Sequence, residues 1–244
     1  AKLLESRINK LNSFKELLPC VIYVGIPTLL VFNQPDLGTS LVYMAIFIGM
    51  TFVAGIRMRL VQIVAGAAVL LAPLGWFVLK EYQKQRILVF LNPDIDPFGS
   101  GYHIIQSKIA IGSGMILGKG LFGGTQSQLN FLPENHTDFI FSVIGEELGF
   151  IGCVIVLLLL FMLFFRSIRV AYSCNDTFGM LLATGIGSML TFEVLVNVGM
   201  TTGIMPVTGI PLPFISYGVS ALTTNMLSIG LLLNIAMQRK KYMF

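Results

Sequence analysis

The chain has 244 residues, of which 55% are hydrophobic and only 11% are charged. Soluble domains carry about 25% charged residues, so a soluble globule is excluded, because it would expose large apolar patches. The same composition excludes disordered, collagen-like and coiled-coil chains. The three cysteines do not form a disulfide framework, and the net charge of +4 is interpreted as a signal of membrane topology and not of nucleic-acid binding. The composition therefore predicts a polytopic membrane protein.

The apolar runs are long and do not alternate with a period of two, which predicts membrane-spanning helices and not a barrel. The predicted fold class is an all-α polytopic membrane protein, with a single domain and six spans. A basic amphipathic helix at residues 1–16 precedes three spans within residues 17–79, and three more lie within residues 139–237 before a tail at 238–244. The spans are Leu17–Phe32, Leu37–Ile56, Leu60–Leu79, Phe139–Phe165, Thr177–Val198 and Tyr217–Met237.

The basic residues assign the two faces of the membrane. Eleven of the 16 lie on one face, which the positive-inside rule assigns to the cytoplasm together with both ends of the chain. The other five lie in the long loop of residues 80–138 on the opposite face, and long loops cross the membrane largely regardless of charge. The eleven are Lys2, Arg7, Lys10, Lys15, Arg57, Arg59, Arg166, Arg169, Arg239, Lys240 and Lys241.

Two outer loops are predicted to be ordered. Residues 80–138 are too rich in Ile, Leu, Phe and Tyr to be disordered, and they include a short amphipathic piece, Ile104–Ile111, so we expect a partly re-entrant cap. The second loop, Thr201–Ser216, contains three prolines and two glycines and cannot form a regular helix. Non-helical backbone at membrane level is tolerated where it lines a cavity.

Ionisable side chains near the spans are the first candidates for function, because they are costly in a membrane. Asp36 precedes the second span, where it either caps the helix or lines a cavity. Asp138 lies just before the fourth span with Glu134 and His136, and it is either a cap or a catalytic group. Glu146 is eight residues after Asp138 and is predicted to share its helical face.

The outer residues suit one class of ligand. Cations hold a pyrophosphate, amides bind sugar hydroxyls, and a carboxylate takes a proton from an attacking hydroxyl, so we expect an amphiphile such as a lipid-linked pyrophosphate sugar. The glycine-rich segment Gly112–Gly120, with Lys119, offers backbone amides for a phosphate but lacks the Walker spacing. No His and Cys spacing indicates a zinc site.

Five runs in this order resemble the SEDS family (shape, elongation, division and sporulation), and the resemblance covers essentially the whole chain. Two of them, at residues 101–112 and 126–128, favour the member that acts in rod-shape elongation over the division-specific member. The runs are Gln34–Thr39, Gly101–Gly112, Gly124–Gln128, Leu132–Phe141 and Pro211–Gly218.

The resemblance implies a peptidoglycan glycosyltransferase that polymerises lipid II in the bacterial cytoplasmic (inner) membrane. It implies a class B penicillin-binding protein and other elongation-complex membrane proteins as partners. The family fold has about ten membrane helices. Because this sequence begins at Ala1 without an initiator Met, we expect the first four helices to be missing and the isolated chain to be inactive.

The resemblance also assigns roles. Asp138, in the His-Thr-Asp run, is expected to be catalytic, either as a general base or as the anchor of a divalent cation (Mg or Mn). Val219 replaces a glycine that the family usually has, and a valine does not readily take a positive φ. The expected substrate-binding residues are Arg86, Gln106, Lys108, Lys119, Gln126, Glu134, His136 and Ser216, and the expected structural or cavity-lining residues are Asp36, Glu146 and Pro211.

Two other functions are compatible with the sequence. A lipid II flippase predicts functional carboxylates deep in the spans, such as Glu193, and polar openings on both faces. A scaffold that only positions the penicillin-binding protein predicts that Asp138→Ala is tolerated. The polar residues cluster on the outer side of this chain, which favours the polymerase.

Overall fold

The computed structural model describes residues 1–8, 14–63, 66, 70, 73, 77, 79–97, 99–129 and 131–241. Every regular element within these ranges is helical. The helices are Lys2–Glu5, Phe14–Asn33, Leu37–Val53, Glu81–Leu91, Ser100–Ser113, Thr125–Gln128, Ile140–Tyr172, Thr177–Thr202 and Val219–Lys241, with a 3₁₀ turn at Pro93–Ile95.

Four helices are long and apolar enough to span a membrane, which confirms four of the six predicted spans and the all-α polytopic class. They are Glu16–Asn33, Ile140–Tyr172, Thr177–Thr202 and Val219–Gln238. Leu37–Val53 is apolar and has 17 residues, at the short end of the range of about 17–25 residues for a spanning helix, so the span predicted there stays a prediction. The predicted span Leu60–Leu79 lies largely outside the described residues, and its described members before Leu79 are helical.

Some predicted boundaries are wrong. The helix predicted to end at Phe165 continues to Tyr172. The last helix begins at Val219 and not at Tyr217, because the proline- and glycine-rich loop extends to Gly218. Val219 is helical and does not have a positive φ, so it meets no strain there. The amphipathic helix predicted at residues 1–16 is interrupted, since a turn at residues 6–8 follows Lys2–Glu5 and residues 9–13 lie outside the described part.

The chain forms two compact units. The first contains Ala1–Val78, Phe164–Phe192 and Met226–Phe244, and the second contains Leu79–Leu163 and Glu193–Asn225. All the predicted site residues except Asp36 belong to the second unit. Its apolar core is built on Phe141, Cys153, Leu160 and Leu212, and the core of the first is built on Leu4, Leu17, Cys20, Met50, Ala54 and Leu181.

In the first unit, Asp36 caps the helix Leu37–Val53. Its carboxylate Oδ1 accepts a hydrogen bond from the backbone N–H of Thr39 at 2.9 Å. This is the position at which an aspartate satisfies a free N–H group of the first helical turn, and the predicted capping role is confirmed.

In the second unit, the long loop pairs with the interior of the helix Ile140–Tyr172. The helix is interrupted at Gly149, whose φ of 66° and ψ of −164° are not helical and are accessible essentially only to glycine. Around this break the N–H groups of Phe150 and Ile151 donate to Met115 O (2.9 Å) and Ile116 O (3.2 Å). The loop therefore supplies partners for backbone groups that the break removes from the helix, as a partly re-entrant loop requires.

Candidate functional site

Asp138 lies in the turn of residues 133–139, two residues before the helix that begins at Ile140. Its side chain is partly buried, and its carboxylate accepts no hydrogen bond from any residue within the described ranges. Burial raises the pKa of this carboxyl, the charge of Glu134 raises the pKa further, and Arg86 lowers it, with a net increase. Such a carboxylate is a stronger base than an ordinary aspartate.

The turn before Asp138 is built on Glu134. The carbonyl oxygen of Glu134 accepts hydrogen bonds from the backbone N–H groups of Thr137 and Phe139, each at 3.2 Å. The Thr137 hydroxyl donates to the Glu134 carboxylate at 2.9 Å. Glu134 itself has a φ of 52°, which turns the chain sharply. The turn keeps the carboxylate of Glu134 close enough to Asp138 to affect its pKa.

His136 is held on the other side of this turn. Its backbone carbonyl accepts a hydrogen bond from the N–H of Tyr217 at 2.8 Å, and the two rings meet edge to face with centroids 5.8 Å apart. Its Nδ1 lies 3.0 Å from Asn135 Oδ1. The imidazole is exposed, so the position is compatible with the predicted contact to a ligand.

Two side chains hold the backbone on which Asp138 lies. Asn197 is fully buried, and its Nδ2 donates to Asp138 O at 2.9 Å and to Ile210 O at 2.8 Å. The Ser216 hydroxyl donates to Thr137 O at 2.6 Å and accepts from the N–H of Leu212 at 2.7 Å. Ser216 was predicted to bind substrate, but the structure uses its hydroxyl in both directions within the fold.

The predicted cations divide into two groups. Arg86, on the helix Glu81–Leu91, acts electrostatically on Asp138, with its guanidinium carbon 6.0 Å from the centre of the Tyr82 ring. Lys108 is exposed on the helix Ser100–Ser113, and its side chain lies against the backbone of Gly203. Gln106 is half-exposed on the same helix. Arg86 and Lys108 therefore belong to the same unit as Asp138 and keep their charges available for an anion.

Lys119 forms a different cluster with Glu146, which is fully buried. Oε1 of Glu146 accepts from Lys119 Nζ (2.8 Å), Thr125 Oγ1 (3.2 Å) and the N–H of Gln126 (3.0 Å). Its Oε2 accepts from the N–H and the hydroxyl of Ser127, both at 3.2 Å. The charge of Lys119 is thus matched within the protein, which does not favour its predicted role in holding a pyrophosphate.

The prediction that Glu146 and Asp138 share a helical face is wrong, because Asp138 precedes the helix that begins at Ile140. Among the other predicted residues, Gln126 has a buried Oε1 that finds no hydrogen-bond partner within the described residues. Pro211 is half-buried in the loop between the last two spanning helices.

A family model described as "Cell cycle protein", which covers FtsW, RodA and SpoVE, matches residues 1–241. The chain belongs to this family. It is 47% identical over 221 residues to the peptidoglycan glycosyltransferase MrdB of Escherichia coli, a match that covers 90% of the chain and 60% of that protein. Stage V sporulation protein E of Bacillus subtilis is 42% identical over 237 residues, covering 97% of the chain and 64% of that protein. The chain thus spans about 60% of the length of the first of these relatives.

Solved structures give the same family relationship. A chain of a peptidoglycan synthase complex, whose structure concerns the coordination of polymerization and crosslinking, matches with a TM-score of 0.79 and 32% identity, covering 99% of this chain and 68% of that one. The rod-shape-determining protein RodA of Thermus thermophilus matches with a TM-score of 0.61 and 29% identity, covering 97% of this chain and 63% of that one. The expected SEDS membership is confirmed.

The sequence motifs did not reveal Asn197, whose side chain is bonded to the backbone of Asp138 in the candidate site. It lies inside a spanning helix and outside all five runs that carry the resemblance. The available signal was its chemistry, since a carboxamide inside an apolar span is costly unless it is bonded within the protein.

The residues around Asp138 bear on whether it could hold a divalent cation. Within the described residues no three His, Cys, Asp or Glu side chains come together as a metal site. A cation bound by Asp138 would take most of its ligands from water and from substrate phosphates, as Mg²⁺ often does.

Proposed function

We propose that the natural protein that carries this chain is a peptidoglycan glycosyltransferase, which polymerises lipid II into glycan strands during cell-wall elongation. The observation that carries the proposal is the state of Asp138: partly buried, with no hydrogen-bond donor within the described residues, and on a backbone fixed by Asn197 and Ser216. The names of the relatives support the same activity.

The chemistry follows from a raised carboxyl pKa. Asp138 accepts the proton of the acceptor sugar hydroxyl while the hydroxyl oxygen attacks the anomeric carbon of the donor. The new carbon–oxygen bond forms as the bond from that carbon to the pyrophosphate oxygen breaks, and the lipid pyrophosphate leaves with the electron pair. Arg86 and Lys108 would neutralise the pyrophosphate charge, and this role is supported by the lack of a carboxylate partner for either side chain within the described residues.

The proposal extends to the membrane location of the protein and to its partners. The protein lies in the bacterial cytoplasmic membrane with Asp138 on the outer face and both ends of this chain in the cytoplasm, as the distribution of Lys and Arg indicates. A class B penicillin-binding protein supplies the crosslinking activity, together with other membrane proteins of the elongation complex.

The test is polymerisation of lipid II by the natural protein purified with its penicillin-binding partner. Asp138→Asn keeps the size of the side chain but removes the base, and we expect the rate to fall by about 10²- to 10⁴-fold. Asp94→Asn is the matched control, because Asp94 is an exposed aspartate of the same long loop, and it should keep the wild-type rate.

The alternatives give different results in the same experiment. A scaffold is favoured if Asp138→Asn polymerises lipid II as fast as the wild type. A flippase is favoured if the purified protein forms no glycan but moves lipid II between the leaflets of vesicles. Either result overturns the proposed function.

A further inference from the structure

The backbone around Asp138 is fixed by a set of buried polar side chains, and the central member is Asn197. A carboxamide nitrogen has two N–H bonds, and Asn197 uses both, one on Asp138 O and one on Ile210 O. It therefore joins the turn that carries Asp138 to the proline-rich loop of residues 203–218. No other residue type of this size supplies two donors to two carbonyl oxygens without adding a charge.

Ser216 holds the preceding peptide group. Its hydroxyl donates to Thr137 O, so the two carbonyls on either side of the Asp138 Cα are bonded to side chains from two different elements. Fixing both flanking peptide groups fixes the direction in which the Cα–Cβ bond of Asp138 leaves the backbone. Within the described residues the Asp138 carboxylate accepts no hydrogen bond, so the backbone bonds fix where this side chain begins.

The helix segment that carries Asn197 is bonded to a neighbouring helix through fully buried hydroxyls. Thr201 Oγ1 donates to Asn197 O at 2.9 Å, and Ser107 Oγ donates to Thr201 O at 2.6 Å. Ser107 Oγ also lies 2.6 Å from Ser142 Oγ. Each of these four residues has 0% exposure, and their bonds link the helices Ser100–Ser113, Ile140–Tyr172 and Thr177–Thr202. Oδ1 of Asn197 has no hydrogen-bond partner within the described residues. Ser107 adjoins Lys108, so the same network fixes the helix that carries a proposed pyrophosphate contact.

We propose that Asn197 is a positioning residue for Asp138. Through its bond to the Asp138 backbone, Asn197 holds the Asp138 carboxylate in the direction required to take the acceptor proton. This inference rests on the proposed function. Its physical basis is that a displacement of about 1 Å at a reacting group can cost about 10²-fold in rate. A residue that serves only to stabilise the fold would change the amount of folded protein and not the rate of each folded molecule.

The experiment compares Asn197→Ala with Asn225→Ala in the natural protein with its penicillin-binding partner. Asn225 is also a buried asparagine, with 4% exposure, in the same unit, and it lies outside the network. We expect Asn197→Ala to lower the kcat of lipid II polymerisation by about 10- to 100-fold per folded molecule, with KM within twofold of the wild type. Asn225→Ala should lower the Tm but keep kcat.

A second variant covers the case in which Asn197→Ala does not fold. Asn197→Ser keeps one donor in place of two, so its kcat should lie between those of Asn197→Ala and the wild type. If Asn197→Ala does not fold, the kcat of Asn197→Ser should still be below that of the wild type. A kcat within threefold of the wild type in Asn197→Ser and in any folded Asn197→Ala overturns the inference.

The result also separates this inference from the proposed function. If Asp138→Asn is inactive while the Asn197 variants keep the wild-type kcat, only the positioning role fails. If Asp138→Asn is fully active, the proposed function fails, and the positioning role fails with it.

Discussion

Two carboxylates of the second unit have opposite environments. Glu146 is fully buried and accepts five hydrogen bonds, one of them from a lysine ammonium. Asp138 is partly buried and accepts none within the described residues, and burial, followed by the charge of Glu134, raises its pKa. The first carboxylate has no capacity left for a ligand. The second is desolvated and unsaturated, which is the state that a general base requires.

The same contrast separates Lys119 from the other two cations of the second unit. Lys119 compensates Glu146 and joins the loop at residues 119–127 to the spanning helix. Arg86 and Lys108 are not paired with a carboxylate in the described structure, so their charges remain available. A cation near a candidate site is therefore informative only when its partner is known. The following changes test this difference.

The largest expected effect is on stability, from Glu146→Gln. Three donors point at one oxygen of Glu146 and two at the other, so a neutral amide must place an NH₂ group against donors. Breaking such a buried ion pair costs about 3 kcal/mol, which should lower the midpoint of chemical unfolding. Glu147→Gln, the neighbouring carboxylate, is the control. Equal midpoints for the two variants would contradict the structural role of Glu146.

Asp138→Glu tests whether the position of the carboxylate matters as well as its charge. The carboxylate is retained but moves by one methylene, and we expect the rate of lipid II polymerisation to fall by about 10²-fold, because a displacement of this size loses the reactive geometry. The unfolding midpoint should stay near that of the wild type. A fully active variant would mean that charge alone is needed at this position.

Gly209 tests the space beside Asp138. It has a φ of 77°, and a Cβ placed on it would lie 3.3 Å from Asp138 Oδ2. Gly209→Ala should therefore strain the loop, crowd the carboxylate and reduce the polymerisation rate by about 10-fold. Gly112→Ala is the control, since a Cβ there meets nothing within 4 Å, and it should keep the rate.

Asp36→Ala removes a carboxylate that only caps a helix. The loss of the bond from the Thr39 N–H should cost about 1 kcal/mol, measured as a lower Tm, with kcat unchanged. A loss of polymerisation at unchanged Tm would instead support a cavity-lining role for Asp36.

The smallest effect is a shift of the pH profile. The base is active when ionised, so the rate should fall as the pH drops through the raised pKa of Asp138. Glu134→Gln removes a charge that raises this pKa and should move the acidic limb to lower pH, whereas Arg86→Gln should move it to higher pH. Measuring the polymerisation rate against pH checks both directions, and identical limbs in the two variants would exclude Asp138 as the titrating group.

Local features were predictable from the sequence. Most spans follow from long apolar runs, and the Asp36 cap follows from an aspartate three residues before a free N–H group. The loop of residues 203–218 follows from its prolines and glycines. Each of these depends on neighbouring residues of the chain.

The partners of the carboxylates were not predictable in the same way. Glu146 receives bonds from residues 19–27 positions away, and Asn197 bonds to a carbonyl 59 positions away. Such contacts depend on how the loop folds back. The glycine-rich segment suggested a phosphate site for Lys119, but its glycines gave no indication that Gly118 lies against the helix backbone at Glu147 and Gly149. Sequence patterns identified Asp138, but they did not reveal what holds it.

The break at Gly149 has a consequence for chimeric proteins. The helix Ile140–Tyr172 and the loop at Met115–Gly120 share backbone hydrogen bonds, and a Cβ on Gly149 would collide with the backbone of Gly118. A segment swapped from another family member therefore has to bring loop and helix together, or the graft leaves unpaired amides inside the bilayer. A graft of either segment should therefore carry the other one with it.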